Sequence, residues 1–369
     1  MTYAIIMAGG IGTRFWPKSR ESRPKQFLKF FDERTLFQNT VDRISKIISH
    51  DRILVITNEQ YVDLVQQQIP DLPAENIIGE PIGKNTAPCI ALAATIVKER
   101  DPEGTMIVLP SDHYITKPDK FLSVLQAAVA KANEGANLVT IGIEPHRPET
   151  GYGYIQFNTG SNEEFDGIKV HEVVTFAEKP DIETAVSFLK SGDFLWNSGM
   201  FVWKASTILD EIKIDLPHLH NLTNAFPDST KKNGIHEALN NFYRNANDIS
   251  IDYGVMEKAQ TVYVVPGDFG WNDVGSWLAV YELEKKDKLG NVIKVPSSRL
   301  INSSNCYVSS STNRFVAVVG LQGVAVVDTD DALLVARLDG AQDVKKVVES
   351  LNDKQTKPYR SKVIVKDQW

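Results

Sequence analysis

The sequence predicts an α/β protein with a Rossmann-like, mixed but mostly parallel sheet, followed by a small β-rich domain that ends in a helix. In the first half, short apolar runs alternate with segments of helical period, which is the pattern of βαβ units. After residue 287, short β-rich runs recur. A chain of 369 residues also exceeds the ~250 to 300 residues at which single cores stop growing. We therefore expect one domain at 1–287 and a second at 288–369.

Four buried strands and four helices are predicted in the first half of the chain. The strands are the apolar, β-branched runs at 2–7, 53–57, 105–110 and 138–143. The helices are the segments with a 3.6-residue apolar period at 36–49, 59–69, 87–100 and 118–135. Their alternation implies a sheet covered on both faces, with ligands bound at the carboxyl ends of its strands.

The remaining elements are predicted from shorter patterns. Strands are expected at 152–157, 170–179, 199–205 and 261–266, a helix at 181–192, and mainly helical segments over 206–260. In the last part of the chain, the runs NCYVSSS, FVAVVG and VAVVDT recur at intervals typical of a β-coil or a sandwich, and AQDVKKVVESLND (341–353) reads as a closing helix.

Composition excludes several classes of protein. The net charge is −7, whereas nucleic-acid binding usually needs a domain-wide basic surplus. No run approaches the ~18 apolar residues of a membrane span, and the N-terminal apolar run is too short for a signal peptide. Cys89 and Cys306 lack metal-ligand or redox spacing. We expect a cytoplasmic protein with two buried free thiols and no membrane or nucleic-acid partner.

A glycine-rich, basic turn follows the first predicted strand, in MAGGIGTRFWPKSRESRPKQ (7–26). Glycines let the backbone approach an anion with free N–H groups, although a glycine turn alone is equally consistent with a structural role. It is neither a GxGxxG fingerprint, because Phe15 stands three after Gly12, nor a Walker A motif. Arg14 and Lys25 favour a phosphate ligand. The other three basic residues are expected to be solvated or salt-bridged: Lys18, Arg20 and Arg23.

Two aspartates follow apolar strands and are candidate magnesium ligands. Asp112 lies in LPSDH (109–113), and Asp273 lies in GWNDVGSW (270–277). Carboxylates at such positions suit Mg²⁺ bound together with substrate phosphates, while a turn or helix-cap role is the alternative. For His113, a structural role or contact with a metal ligand is favoured over direct ligation of the metal. Two separated aspartates and a basic glycine loop are the parts that magnesium-dependent nucleotidyl transfer requires.

Eight motifs occur in family order along the chain: GGIGTRFWPKSRESRPKQF, EPIGKNTAP (80–88), LPSDH, TGYGYI (150–155), FAEKPD (176–181), WNSGMF (196–201), SIDYGVMEK (250–258) and GWNDVGSW. Together with the tail they resemble the mannose-1-phosphate guanylyltransferase family, and the resemblance covers nearly the whole chain. It implies a nucleotidyltransferase fold of the glycosyltransferase-A type, with a left-handed β-helix-like C-terminal domain.

The resemblance also implies roles for individual residues. The GTP phosphates are expected at Ala8, Gly9, Gly10, Gly12, Thr13, Arg14 and Lys25, with Ser111 and Asp112 in the same nucleotide site. Guanine and ribose are expected at Glu80, Asn85, Thr86 and Pro88. The sugar and its phosphate are expected at Gly153, Glu178, Lys179, Asn197 and Asp252. Asp112 and Asp273 correspond to the Mg²⁺ ligands, and the residues expected to act in catalysis are Arg14, Lys25, Asp112 and Asp273.

The implied reaction is the transfer of GMP from GTP to mannose 1-phosphate, which yields GDP-mannose and pyrophosphate. We expect a monofunctional enzyme without the isomerase domain of many bacterial relatives, and a homodimer is compatible with the β-rich tail as a subunit contact. One alternative is a glucose-1-phosphate uridylyl- or thymidylyltransferase, which needs the same phosphate and metal groups. A second is a non-catalytic nucleotide-sugar sensor on the same fold. The failed dinucleotide fingerprint disfavours an NAD-dependent oxidoreductase.

Overall fold

A computed structural model describes residues 1–161, 163–351 and 356–361. The chain forms two compact units that are not sequential. The first comprises Met1–Gly9, Val41–Ser111 and Ile115–Trp271, and the second comprises Gly10–Thr40, Asp112–Tyr114 and the chain from Asn272 onward. The glycine-rich loop thus packs with the C-terminal part of the chain. The predicted boundary near residue 288 stays a prediction.

Strands and helices alternate through most of the chain. The strands are β1 Thr2–Ala8, β2 Ile53–Asn58, β3 Ile77–Glu80, β4 Thr105–Pro110, β5 Tyr114–Ile115, β6 Leu138–Ile143, β7 Tyr154–Phe157, β8 Glu163–Phe165, β9 Ile168–Ala177, β10 Phe194–Lys204, β11 Val262–Gly267, β12 Trp271–Asn272, β13 Val292–Lys294, β14 Ser298–Ile301, β15 Tyr307–Ser310, β16 Val316–Val319, β17 Val324–Asp328 and β18 Leu333–Arg337.

The α-helices are α1 Leu36–Ile44, α2 Val62–Gln68, α3 Thr86–Arg100, α4 Pro118–Asn133, α5 Ile182–Ser191, α6 Ala205–Asp215, α7 Pro217–Asn233, α8 Ile235–Asn245, α9 Trp277–Leu283, α10 Val344–Ser350 and α11 Lys357–Ser361. Short 3₁₀ turns include Thr13–Phe15, Lys25–Phe27 and Ala341–Asp343, and a π-helical turn spans Asp252–Met256. The predicted closing helix is confirmed over α10, while residues 352–353 of that prediction lie outside the described residues.

The first unit is built on one mixed sheet with the order β3-β2-β1-β4-β10-β6-β11-β9-β7, and β8 pairs with β9. Parallel pairing joins β3, β2, β1 and β4, and again β6 and β11. The predicted mixed sheet is confirmed, but it is less parallel than expected because β10 runs antiparallel to β4, β6 and β7. Helix α3 is apolar nearly all round, with ten buried residues, as expected for a helix buried against a sheet.

The second unit contains stacked parallel strands. β13, β15 and β17 pair in parallel, with Val292 opposite Tyr307 and Tyr307 opposite Ala325, and β14 pairs in parallel with β16. This is the coiled arrangement of a β-helix. The prediction of a β-rich C-terminal part is therefore confirmed. Its core also takes in Phe15 of the glycine-rich loop and Trp277 of α9.

Within the described residues, no helix combines the length and apolar character needed to cross a bilayer. Cys89 and Cys306 are both buried and free, which confirms the prediction of two unpaired thiols.

Candidate functional site

A cavity of about 380 Å³ in the second unit brings together six of the predicted site residues. These six are Gly12, Thr13, Arg14, Lys25, Asp112 and Asp273. The cavity is also lined by Phe15, His113, Val274, Gly275 and Lys345. Residues that are far apart in sequence therefore share one pocket with three basic groups and two carboxylates.

The loop from Gly10 to Phe15 forms one wall of this pocket. Gly12 has φ 67° and precedes the 3₁₀ turn Thr13–Phe15. This left-handed conformation favours glycine, and a Cβ at Gly12 would also collide with the Cβ of Lys25. Phe15 is 1% exposed and anchors the turn in the core of the second unit. The glycine thus allows Lys25 to lie directly against the loop.

Lys25 connects the two aspartates of the pocket. Its Nζ donates to Oδ2 of Asp112 at 2.8 Å and to the carbonyl oxygen of Asp273 at 2.6 Å. The backbone N–H of Lys25 donates to the carbonyl of Ile11 at 3.2 Å, so both ends of the residue are held. A buried ammonium of this kind is a positive charge held in one place at the pocket.

Asp112 is held in its ionised form. Burial raises the pKa of its carboxyl, but the adjacent Lys25 ammonium and His113 outweigh burial and bring the pKa below its ordinary value. Nε2 of His113 lies 4.0 Å from Oδ1 of Asp112. His113 therefore lies beside a candidate metal ligand, and its role at the site stays a prediction. The side chain of Asp112 remains 33% exposed, which leaves it accessible to a ligand in the pocket.

Asp273 precedes an unusual backbone conformation. Val274 has φ 48°, which is an outlier for a β-branched residue, and its N–H donates to Oδ1 of Asn272 at 2.7 Å. A Cβ at Gly275 would lie 2.8 Å from Oδ2 of Asp273, so the glycine leaves room for the carboxylate. Strained backbone of this kind is frequent at functional sites.

The pocket suits a magnesium ion bound jointly with phosphates. Mg²⁺ is usually held by one or two carboxylates together with substrate oxygens, and both aspartates line the one cavity. Within the described ranges, no group of three or more His, Cys, Asp or Glu side chains forms a metal cage. The donor set therefore fits an ion that depends on the substrate for the rest of its ligands.

The other basic residues of the loop have structural partners. Lys18 Nζ donates to Oγ of Ser309 at 2.7 Å, and Arg20 is 1% exposed and paired with Asp331 at 3.1 Å. Nε of Arg23 donates to the carbonyl of Phe27 at 3.4 Å. The expectation of a solvated or salt-bridged side chain is confirmed for Arg23, which is exposed, and for Arg20, whose ion pair is buried. Lys18 instead donates to a hydroxyl group.

In the first unit, four predicted nucleotide-site residues lie at the carboxyl ends of parallel strands. Ala8 ends β1, Gly9 follows it, Glu80 ends β3, and Ser111 follows β4 and donates its N–H to the carbonyl of Met7 at 3.0 Å. A Cβ at Gly9 would lie 3.9 Å from Oε2 of Glu80. This edge is where parallel sheets bind ligands.

Glu80 is a buried carboxyl with an unusual proton affinity. Burial raises its pKa to about 7, and the Tyr243 hydroxyl opposes the shift. Among the described residues, neither Oε1 of Glu80 nor the Tyr243 hydroxyl makes a hydrogen bond of ordinary geometry. The opposing effect is therefore weak, and burial dominates.

The N-terminus of α3 carries the remaining nucleotide-site candidates. Asn85 has φ 65° and caps the helix, since its Oδ1 accepts from the N–H of Thr86 at 3.0 Å. Oγ1 of Thr86 accepts from the N–H of Ile251 at 2.9 Å. Pro88 is buried in the first turn of the helix. This end of α3 is thereby fixed to the segment that precedes the π-helical turn.

The predicted sugar-site residues form one connected group in the first unit. Nδ2 of Asn197 donates to Oδ1 of Asp252 at 2.7 Å, and the backbone N–H of Asn197 donates to the carbonyl of Gly153 at 2.8 Å. A Cβ at Gly153 would collide with Oε2 of Glu178, and Oε1 of Glu178 is paired with Lys179. All five residues are thus linked by direct contacts.

Two side chains in this group have a pKa above the ordinary value. Burial raises the pKa of Asp252, and the neighbouring Glu178 adds to the shift. Partial burial lowers the pKa of Lys179, but its ion pair with Glu178 outweighs burial and raises it. A carboxyl that keeps its proton more readily can both donate to and accept from sugar hydroxyls.

One basic side chain of the pocket, that of Lys345, was not predicted from the sequence. Lys345 comes from α10, more than 300 residues after the glycine-rich loop, and lies in the same cavity as Arg14 and Lys25. No local signal distinguishes it, because AQDVKKVVE reads as an ordinary amphipathic helix with a charged outer face.

Two family models match this chain. Residues 3–289 match the family described as Nucleotidyl transferase, and residues 297–351 match a MannoseP isomerase/GMP-like beta-helix domain.

Three known proteins are similar to this chain over nearly its whole length. A mannose-1-phosphate guanylyltransferase of Klebsiella pneumoniae is 40% identical over 98% of this chain and 76% of its own length. Another from Salmonella montevideo is 42% identical over 95% of this chain and 74% of its own length. A crystal structure of a mannose-1-phosphate geranyltransferase from Thermus thermophilus is similar with a TM-score of 0.83 at 32% identity, covering 95% of this chain and 99% of that one.

Proposed function

Because this chain belongs to the mannose-1-phosphate guanylyltransferase family of nucleotidyl transferases, we propose that it transfers GMP from GTP to α-D-mannose 1-phosphate. A phosphate oxygen of the sugar attacks the α-phosphate of GTP, the new P–O bond gives GDP-mannose, and the bond to the β-phosphate breaks to release pyrophosphate. The single observation that supports this best is the joining of Lys25, Asp112 and Asp273 in one pocket beside a glycine-rich loop.

The reaction does not need a general base. A phosphate monoester has a second pKa of ~6, so the attacking oxygen is already ionised near neutral pH. Catalysis then consists of in-line positioning and neutralisation of charge on the phosphates. Arg14 is exposed at the pocket, and Lys25 is fixed within it. Both are suited to stabilise the charge that develops on the departing pyrophosphate.

Asp112 and Asp273 would hold Mg²⁺, which when bound neutralises phosphate charge and draws two anionic groups together. The carboxylate of Asp112 is ionised well below neutral pH because its pKa is lowered, as a ligand of this ion must be. Lys25 Nζ keeps its contacts with Asp112 and Asp273 and would act on the triphosphate through its charge.

The first unit would bind the base, ribose and sugar. The group of Gly153, Glu178, Lys179, Asn197 and Asp252 offers a cation for the sugar phosphate and several acceptors for hydroxyls. We assign Lys179 to the phosphate and Glu178 to the hydroxyl groups. Glu80 and the N-terminus of α3 are assigned to guanine and ribose.

The test is a matrix of pyrophosphate release. GTP, ATP, UTP and dTTP are each combined with mannose 1-phosphate or glucose 1-phosphate, with Mg²⁺ and with chelator. We expect release with GTP and mannose 1-phosphate only, abolished by chelator. A preference for UTP or dTTP with glucose 1-phosphate would overturn the substrate assignment, and release in no combination would favour a nucleotide-sugar sensor.

A further inference from the structure

Helix α10 places a third basic side chain in the cavity that Arg14 and Lys25 line. Lys345 lines the same cavity as Thr13, Arg14 and Lys25. The next residue, Lys346, is not among the residues that line this cavity and instead pairs with Asp343 at 2.8 Å. Two adjacent lysines of one helix therefore have different surroundings.

The position of Lys345 is set by the packing of α10. Val344 and Val348 are 3% and 5% exposed, and both lie in the core cluster that contains Phe15. Phe15 ends the 3₁₀ turn that also carries Thr13 and Arg14. One face of the helix and the glycine-rich loop are anchored in the same core, and Lys345 is therefore held beside that loop.

The charge of Lys345 is available for a ligand. Its described partner is Glu349, at 3.4 Å, in a pair whose side chains are 56% and 59% exposed. Exposed pairs of this kind contribute little to stability, so exchanging Glu349 for a phosphate oxygen costs little. Lys25, by contrast, is 6% exposed and already joined to two residues.

We propose that Lys345 binds the β- and γ-phosphates of the triphosphate and the pyrophosphate that they become. The C-terminal β-rich part of the chain then contributes a ligand-binding residue to the cavity that Arg14 and Lys25 line. This inference rests on the proposed function for the identity of the nucleotide, while the binding of a polyphosphate anion is independent of it.

The test compares Lys345→Met with Lys346→Met in the full-length chain. Both variants remove one exposed lysine from the same helix, so a difference between them reports the pocket and not the net charge. We expect Lys345→Met to raise the KM for GTP, and the KM for pyrophosphate in the reverse reaction, by about tenfold, which is the loss of one charge-assisted contact. The KM for mannose 1-phosphate should be unchanged, Lys346→Met should match the unsubstituted protein, and Lys345→Arg should retain most of the affinity.

Direct titration of pyrophosphate into each protein separates this inference from the proposed function. If the unsubstituted protein fails to transfer GMP, the proposed function is wrong, but weaker pyrophosphate binding by Lys345→Met than by Lys346→Met still supports the inference. Equal pyrophosphate affinities for the two variants, at equal thermal midpoints, would overturn it.

Discussion

The Nζ atom of Lys25 lies 2.8 Å from Oδ2 of Asp112, and the lysine is 6% exposed. The same atom donates to the carbonyl oxygen of Asp273. One buried cation therefore holds together the two segments that carry the carboxylates of the pocket. It also lowers the pKa of Asp112 against the effect of burial. Removing it should change both the geometry and the charge of the site.

Lys25→Met is expected to lower kcat by ~10²-fold, comparable to the loss of one major electrostatic stabiliser. The KM for mannose 1-phosphate should change much less, because the sugar is assigned to residues of the first unit. Steady-state kinetics measures both values. The matched control is Lys29→Met, since Lys29 is half exposed and pairs with Glu33 on the surface. A raised sugar KM with an unchanged kcat would place Lys25 on the sugar side of the reaction.

Asp112→Asn and Asp273→Asn are each expected to lower turnover by at least ~10²-fold, because each removes a carboxylate proposed to bind Mg²⁺. Calorimetric titration of Mg²⁺ in the presence of GTP should show weaker binding in both variants. Asp119→Asn is the control, because that carboxylate is 90% exposed on α4. Either pocket variant with near-normal activity and unchanged Mg²⁺ dependence would leave that residue outside the metal site.

Gly12→Ala tests the close approach of the loop to Lys25. An alanine at positive φ costs about 1–2 kcal/mol in the free energy of unfolding, and its Cβ would also displace Lys25. Gly167→Ala is the matched control, since Gly167 has φ 81° and no neighbouring atom within 4 Å of the added Cβ. We expect both variants to lose stability in urea denaturation but only Gly12→Ala to lose kcat. Equal kcat values in the two variants would show that displacement of Lys25 has no catalytic consequence.

The stability of the chain should depend on pH through Glu80. Its pKa rises from 4.5 to about 7 on folding, so the folded state binds more protons between these values. The free energy of unfolding therefore falls as pH rises from about 4.5 to about 7, by about 3 kcal/mol if no other group compensates.

Glu80→Gln should remove this slope, because glutamine does not titrate. Urea unfolding at pH 5 and pH 8 measures the difference, and Glu75→Gln, at an exposed position on the turn before β3, serves as control. The same pH dependence in Glu80→Gln and in the unsubstituted protein would show that Glu80 does not carry the shift.

Some elements could be predicted from local patterns and some could not. The apolar runs of β1, β4 and α3 are confirmed at nearly their predicted bounds, since the signal is contained in each segment itself. β3 was missed because its four residues are too few to show a period, although it places Glu80 at the edge of the sheet. β10 begins at Phe194, five residues before its predicted start, because its first half includes polar residues that interrupt the apolar pattern.

By itself, the sequence determined the α/β pattern, the β-rich tail, and the residue types of a phosphate and metal site. Strand and helix periods, glycine loops and strand-end aspartates are local features, and they can be recognised without knowledge of the fold. Only the tertiary structure decided which charges meet. It paired Arg20 with Asp331 in the interior, joined Lys25 to Asp112, and brought Lys345 but not Lys346 into the pocket. The physical reason is that these choices depend on core packing between segments far apart in the chain, which a local charge pattern does not encode.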